Sequence, residues 1–224
     1  MFVCQFYFYF YSTYDIIVWL NAYGRRTHLN TLILASRSPR RSELLRRLGL
    51  AFETDDPDVD ESCSLPAGEA VRLLSRRKAS ASALAHPGCY VLAADTLVSF
   101  QEASLGKPKD QDDAVRMLQL LSGRTHQVYT GVTVIAPDGT AWTDADCTNV
   151  TFAGLTDDEI RSYVLSGEPM DKAGAYALQG RAGLWVEHLD GSDTSVIGLP
   201  LFLVRRLLLS AGYPLQSELD RNHN

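Results

Sequence analysis

The sequence predicts a mixed α/β sheet flanked by helices, and three of its features point there. The runs Leu32–Ala35 and 90–99 have the near-continuous hydrophobicity of central strands covered on both faces. Between and after them, apolar residues recur at helical spacing. Residues 128–136 and 141–153 then flank Pro137-Asp138-Gly139, the pattern of a long hairpin. Strands alternating with helices, together with one hairpin, make a mixed sheet covered by helices.

The elements follow in order. Leu32–Ala35 leads into Ser36-Arg37-Ser38-Pro39-Arg40-Arg41, where Ser38 suits a helix N-cap and Pro39 the first helical position. The helix continues over 41–48 and Gly49 closes it. Residues 51–54 read as a second strand and 55–66 as an acidic loop. Ala70, Leu73, Leu74 and Ala81 give helical spacing to 68–85, with Arg72 and Arg76 on a solvated face. The strand over 90–99 is interrupted by Asp95 and Thr96, and a polar loop containing Gly106-Lys107-Pro108 follows it. Gln111–Leu121 is a helix that Ser122-Gly123 stops. Beyond the hairpin, Thr156 and Glu159 frame a capping box for a helix to Ser166. Residues 183–189 form a strand that turns at Asp190-Gly191, and Pro200 opens a helix over 201–211. Residues 216–224 are polar and expected to fray.

The chain divides into an aromatic-rich extension (1–30), one domain (31–213) and a polar tail (214–224). The extension packs nine aromatic residues, from Phe2 to Trp19, into one run. A membrane anchor needs about 20 apolar residues, yet Gln5, Ser12, Thr13 and Asp15 interrupt the run. A signal peptide needs a basic start, but Arg25-Arg26 follows the run instead. An accessory extension that the fold does not need is therefore expected, with no membrane partner. The formal net charge of −6 argues against a nucleic-acid polymer as the main partner. A single nucleotide needs only a local basic pocket. Cys4, Cys63, Cys89 and Cys147 are scattered, without metal-ligand spacing, so a reducing cytoplasm is the expected location. His126 and His188 fall in strand-like segments and read as packed or surface residues.

The chemistry-bearing residues are few. Arg40 and Arg41 fall in the first turn of a helix, the end that disfavours cations unless an anion faces them. Free amides at a helix start, the Ser36 and Ser38 hydroxyls and two guanidinium groups make a phosphate site; the plainer reading is a solvated helix. Asp95 at the end of an apolar strand is expensive to bury without a partner. It can bind a metal or orient a water, or it can cap a loop through Thr96. Lys107, in a rigid small-residue turn, can present an ammonium to phosphate. Lys78 follows Arg76-Arg77 in what otherwise reads as a wet charge run. Asp58, Asp60 and Glu61 lack calcium-loop spacing but can supply a magnesium ligand. Asp171-Lys172-Ala173-Gly174-Ala175-Tyr176 permits close backbone approach and leads to Gln179-Gly180, whose amide can pair with a base edge or simply face water. In such sheets ligands sit beyond the carboxyl ends of strands, which puts the Ser36 turn and Asp95 on one cleft.

Ser-x-Ser-Pro-Arg-Arg, Ala-Asp-Thr, Gly-Lys-Pro, Asp-Lys-Ala-Gly-Ala-Tyr with Gln-Gly, and Gly-Leu-Pro occur here in that order. Together they resemble the Maf family of nucleoside triphosphate pyrophosphatases over residues 32–211. The resemblance implies two lobes around a central cleft, a fold similar to that of the inosine triphosphate pyrophosphatases, and a homodimer. It implies a hydrolase acting on acid anhydrides, cleaving between the α and β phosphates with a divalent metal cation (Mg, Mn or Co). It makes Asp95 the proton acceptor and Arg40, Thr96 and Gln179 the specificity positions, in the combination of the dTTP/UTP branch. Ser36, Ser38, Arg41, Lys78 and Lys107 would hold phosphate, and Glu61 with Asp95 the metal. An ordinary aspartate is a poor base at neutral pH, so a metal-bound water or a more basic carboxylate is required, and the sequence leaves both open. The alternatives are the sibling branch acting on 7-methyl-GTP and a nucleotide-binding regulator of cell division or septum formation.

Overall fold

The computed structural model describes residues 30–221; the aromatic run expected to be an accessory extension lies outside them. A seven-stranded mixed sheet runs in the order β2-β1-β3-β5-β6-β7, with β4 pairing to β3 beside that path. The strands are β1 (Leu32–Ala35), β2 (Glu53–Asp55), β3 (Tyr90–Phe100), β4 (Ala103–Leu105), β5 (Thr125–Ile135), β6 (Ala141–Phe152) and β7 (Val186–Asp190). The helices are α1 (Pro39–Arg47), α2 (Ala67–Ala85), α3 (Gln111–Leu121), α4 (Asp157–Leu165), α5 (Asp193–Ile197), α6 (Leu201–Ser210) and α7 (Leu215–Arg221).

β1 is parallel to β2 and β3, whereas β3, β5, β6 and β7 pair antiparallel. The register creates the site. β1 pairs with β3 at Tyr90, Val91 and Leu92, and β4 pairs with β3 at Val98, Ser99 and Phe100. Because β5 occupies the other edge along this whole stretch, β1 and β4 share one edge of β3. Between them lies a gap, and Asp95 and Thr96 sit in it.

Apolar cores lie on either side of that gap. One joins β1, the first half of β3, α1 and α6 around Leu34, Leu45, Leu92 and Leu208. The other joins the far ends of β3, β5 and β6 with α3 and α4 around Leu118, Phe152, Ile160 and Tyr163. These are the two lobes. α2 crosses the opposite face of the sheet, where Ser75 Oγ meets Thr133 Oγ1 at 3.0 Å. It approaches closely at Gly131: a Cβ there would lie 2.2 Å from the carbonyl oxygen of Val71.

Besides the short α5, which the sequence reading did not include, the structure departs from it in four places. β4 was not foreseen, because three residues after a turn carry too little periodicity. β7 starts at Val186, since 3₁₀ turns over Arg181–Trp185 precede it. Ser38 occupies the N-cap position of α1 but its side chain caps nothing; instead its backbone N–H donates to Ser36 Oγ at 3.2 Å. Residues 216–221, within the segment expected to fray, belong to α7, because Leu215 and Leu219 pack on the first core. Buried Glu218 accepts from Asn30 Nδ2 at 3.2 Å and Arg221 Nη1 at 2.7 Å. The helix over Gln111–Leu121 and the Thr156–Glu159 capping box form as read.

Candidate active site

The gap in the β3 edge opens into a cleft of about 800 Å³. The residues that the resemblance assigns to the site all reach it: Ser36, Ser38, Arg40, Arg41, Glu61, Lys78, Asp95, Thr96, Lys107 and Gln179 line its walls, whereas Asp60 does not. The lining holds six Lys or Arg and five Asp or Glu side chains, so the cleft is slightly basic within a chain of net charge −6. An anion with its own cation finds partners of both signs here.

β3 divides the chemistry by strand alternation, because Asp95 and Thr96 point to opposite faces. On the α2 face, Lys78 Nζ lies 2.6 Å from Asp95 Oδ1 and 2.7 Å from Glu61 Oε1. Asp95 is 8% exposed, so its charge needs this partner. Asp95 Oδ2 makes no hydrogen bond among the described residues. The Lys78 ammonium holds Glu61 below the usual carboxylate range, against the opposing effect of partial burial. Glu61 reaches the pair because Arg77 Nη1 donates to the carbonyls of Asp60 (2.8 Å) and Ser62 (3.1 Å), tying the acidic loop to α2.

On the other face lies Arg41, with all three of its guanidinium nitrogens engaged. Nε donates to the Gly198 carbonyl at 2.8 Å, Nη1 to Ser36 Oγ at 3.1 Å and Nη2 to Thr96 Oγ1 at 3.1 Å. Removal from water lowers its pKa from the ordinary guanidinium value, and the charge of Asp95 opposes that. Thr96 Oγ1 also meets Thr130 Oγ1 at 3.0 Å, and Thr130 donates to the Ser195 carbonyl at 2.8 Å. The Gly-Leu-Pro motif thereby acquires a reason. Gly198 has φ +116°, and a Cβ there would sit 3.2 Å from Thr96 Oγ1 and 3.4 Å from Arg41 Nε. Only glycine presents that carbonyl to Arg41 without strain.

Lys107 and Gln179 arrive from the other lobe. The Gly174 N–H donates to the Gly106 carbonyl at 3.0 Å, which fastens the Lys107 turn to the Asp-Lys-Ala-Gly-Ala-Tyr segment. Gly180 is required next to Gln179 because a Cβ would fall 1.8 Å from Glu168 Oε1. That carboxylate is itself held by Tyr163 Oη at 2.9 Å. The Gln179 amide makes no hydrogen bond among the described residues and is exposed at the cleft wall.

Sequence reasoning gave no role to four contributors. Lys172 lines the cleft with its side chain 13% exposed and its ammonium on Asp171 and the Glu168 carbonyl. Arg37 and Asp56 pair at 2.8 Å, both lining the cleft. Arg77 was read within a wet charge run, yet it holds the loop that carries Glu61. An alternation of lysine with small residues at Lys172 was the available signal; nothing local marked Arg77.

Two carboxylates that converge on one ammonium also fit a hard divalent cation. Magnesium is commonly held by one or two carboxylates with substrate phosphates completing the shell. No group of three or more His, Cys, Asp or Glu suited to a metal occurs among the described residues. Glu61 and Asp95 would be the two carboxylates to hold such an ion, with its remaining ligands supplied from outside the described residues. No helix among the described residues is long and apolar enough to cross a membrane.

Comparison with known proteins gives the chain its relatives. The dTTP/UTP pyrophosphatase of Moorella thermoacetica is 49% identical over 187 residues, covering 82% of this chain and 96% of that protein. The dTTP/UTP pyrophosphatase of Anaeromyxobacter dehalogenans is 50% identical over 190 residues, covering 84% and 97%. The Staphylococcus aureus Ham1 protein aligns at TM-score 0.49 and 17% identity over 80% of this chain and 98% of that chain, a likeness too distant to bear on function. The Maf-like protein family model matches residues 31–211, from the first residue before β1 to the end of α6, and the chain belongs to that family.

Proposed function

We propose that this protein hydrolyses dTTP and UTP to the nucleoside monophosphate and pyrophosphate, removing non-standard nucleotides from the pool as a cytoplasmic homodimer. One observation carries the reading most: Asp95, Lys78 and Glu61 converge within 2.7 Å contacts at the edge of a cleft that also holds Arg40, Arg41 and Lys107. Relatives about half identical over most of the chain carry the dTTP/UTP name.

The triphosphate tail, with about four negative charges, would lie along Ser36, Ser38, Arg40, Lys78 and Lys107, where charge-assisted hydrogen bonds are strongest. Arg41 has less freedom than its neighbour, since its nitrogens already fix Ser36, Thr96 and Gly198. Its role is to hold the serine turn and the β3 gap in one geometry, which leaves only its remaining guanidinium hydrogens for phosphate. A divalent metal on Asp95 and Glu61 would neutralise charge on the phosphate oxygens and activate water. Asp95 Oδ2 accepts a proton from the water that attacks the α-phosphorus. The α–β bridging P–O bond breaks, and pyrophosphate leaves toward the lysines. Lys78, which pairs with both carboxylates, lies at the cleft wall where its ammonium can face the phosphate charge.

A panel of triphosphates assayed for pyrophosphate release tests the reading. Turnover of dTTP and UTP with Mg, Mn or Co, lost on EDTA treatment and restored by metal, is the expected result. Nucleotide binding without turnover under every metal would instead identify a binding protein, and preference for 7-methyl-GTP the sibling activity.

Gln179 supplies the second test. Its free amide faces the cleft, and a site that hydrogen-bonds one base edge rejects bases that leave its polar groups unpaired. Gln179→Ala should reduce kcat/KM for dTTP and UTP by about tenfold, the value of one hydrogen bond, with smaller loss on other triphosphates. Equal loss on all of them would make Gln179 a structural residue.

A further inference from the structure

Behind the cleft, on the sheet face that carries Thr96, lies a buried polar pair that the chemistry above does not use. His126 on β5 is fully buried, and its Nε2 meets Tyr176 Oη at 2.8 Å. Its ring packs edge-on against Phe152 (5.1 Å between centroids) and Tyr176 (5.3 Å). His126 Nδ1 has no hydrogen-bond partner. Whichever nitrogen carries the proton, one hydrogen of the His126–Tyr176 pair is left over, and a buried polar group without a partner is costly. A leucine or phenylalanine would fill the same space without that cost. Burial also pushes His126 down to about 4, so the ring is neutral at ordinary pH and acts as a fixed hydrogen-bonding group.

The strain around Tyr176 points the same way. Ala175, immediately before it, has φ +60°, a left-handed conformation that costs a non-glycine residue about 1 kcal/mol or more. Gly174 at φ +67° presses on Val98, where a Cβ would meet Cγ2 at 2.9 Å. Ala177 N–H donates to buried Tyr163 Oη at 3.2 Å. The segment is thus pinned from beneath at two successive residues while its other side faces the cleft. Tyr176 lines that cleft beside Val98 and Val128, which are cross-strand partners one step along from Thr96 and Thr130.

We propose that His126 is a positioning residue for the nucleobase end of the cleft: by holding the Tyr176 hydroxyl it fixes the tyrosine ring which, with Val98 and Val128, forms the apolar wall for a pyrimidine. This rests on the dTTP/UTP reading and adds what shapes its base pocket. The ring's position sets the depth of the pocket, so loosening it admits larger bases.

The test compares Tyr176→Phe, His126→Leu, their combination and His126→Gln, whose amide nitrogen can reach the Tyr176 hydroxyl. Steady-state kinetics are run on dTTP, UTP and dGTP. Tyr176→Phe and His126→Leu should each raise KM for dTTP by about three- to tenfold, the range of one hydrogen bond, with far smaller change in kcat. The dGTP-to-dTTP ratio of kcat/KM should rise. The double variant should be no worse than the poorer single, since both remove one linkage, and His126→Gln should recover most of the loss. Unchanged KM in both single variants, additive losses, or an equal loss on purine and pyrimidine substrates would overturn the proposal. If His126→Leu does not fold, Tyr176→Phe decides the outcome alone, because it removes a single oxygen. Wild-type protein that turns over no pyrimidine triphosphate would sink the functional reading, a result distinct from variants that leave KM untouched.

Discussion

Asp95→Asn is expected to lower the rate of dTTP hydrolysis by about a thousandfold or more, while the protein stays folded and still binds a non-hydrolysable analogue. A positioned general base contributes about 10²–10⁴-fold, and on the proposed reading the same carboxylate would also hold the metal. Asparagine keeps the volume and the oxygen at the end of the apolar strand, so β3 is not disturbed. Lys78 loses its 2.6 Å partner but keeps Glu61 at 2.7 Å, so its ammonium is not left without a counter-charge. The loss should therefore fall on kcat, with little change in melting temperature. Activity within a few-fold of wild type would remove Asp95 from the reaction. A matching loss of analogue binding would make it a binding group only.

The residues that could be read from sequence are those whose neighbours along the chain explain them. Ser36, Arg40 and Arg41 follow a buried strand by a few positions, and Asp95 breaks an apolar run, so strand ends and misplaced charges marked them. The capping box at Thr156 and Glu159 was legible for the same reason. The contacts that make these residues into a site are distant in sequence. Arg41 and Gly198 are 157 residues apart, and no local pattern says that a carbonyl from the Gly-Leu-Pro turn will hold a guanidinium beside β1. Arg77 stood in a charge run, where the wet-face reading was the reasonable one; only the folded loop shows its two carbonyl contacts. Thr96 was expected from the resemblance to be a specificity position; its hydroxyl contacts with Arg41 and Thr130 join residues too far apart in sequence to be read from it. The Ser38 cap failed because Ser36, two residues earlier and more deeply buried, already serves the turn. Tyr176 was legible only as the end of a small-residue motif and His126 only as a packed or surface histidine; nothing local pairs them across 50 residues.

Gly131→Ala is expected to damage stability and catalysis together, and the reason lies in how closely α2 approaches the sheet. Gly131 pairs with Asp95 across β3 and β5. A Cβ at position 131 would lie 2.2 Å from Val71 O, 2.4 Å from Val71 C and 2.8 Å from Arg72 N. These are backbone atoms inside a helix, so no side chain can swing aside and α2 itself must move. Overpacking of this kind costs about 3 kcal/mol, which in a domain of this size lowers Tm by roughly 6–12 °C. The helix also carries Ser75, bonded to Thr133, and Lys78, which bridges Asp95 and Glu61. A shift of about 1 Å in a positioning element is enough to lose about a hundredfold in rate, so kcat/KM of the folded fraction should fall by that order at a temperature well below Tm. Gly154→Ala is the control: a Cβ there meets nothing within 4 Å, and both Tm and activity should stay at wild-type values. If Gly131→Ala matches that control in both measurements, the close approach of α2 does not set the geometry of the Asp95–Lys78–Glu61 cluster. If Tm falls while kcat/KM holds, the helix is a stabilising element whose register the chemistry does not need.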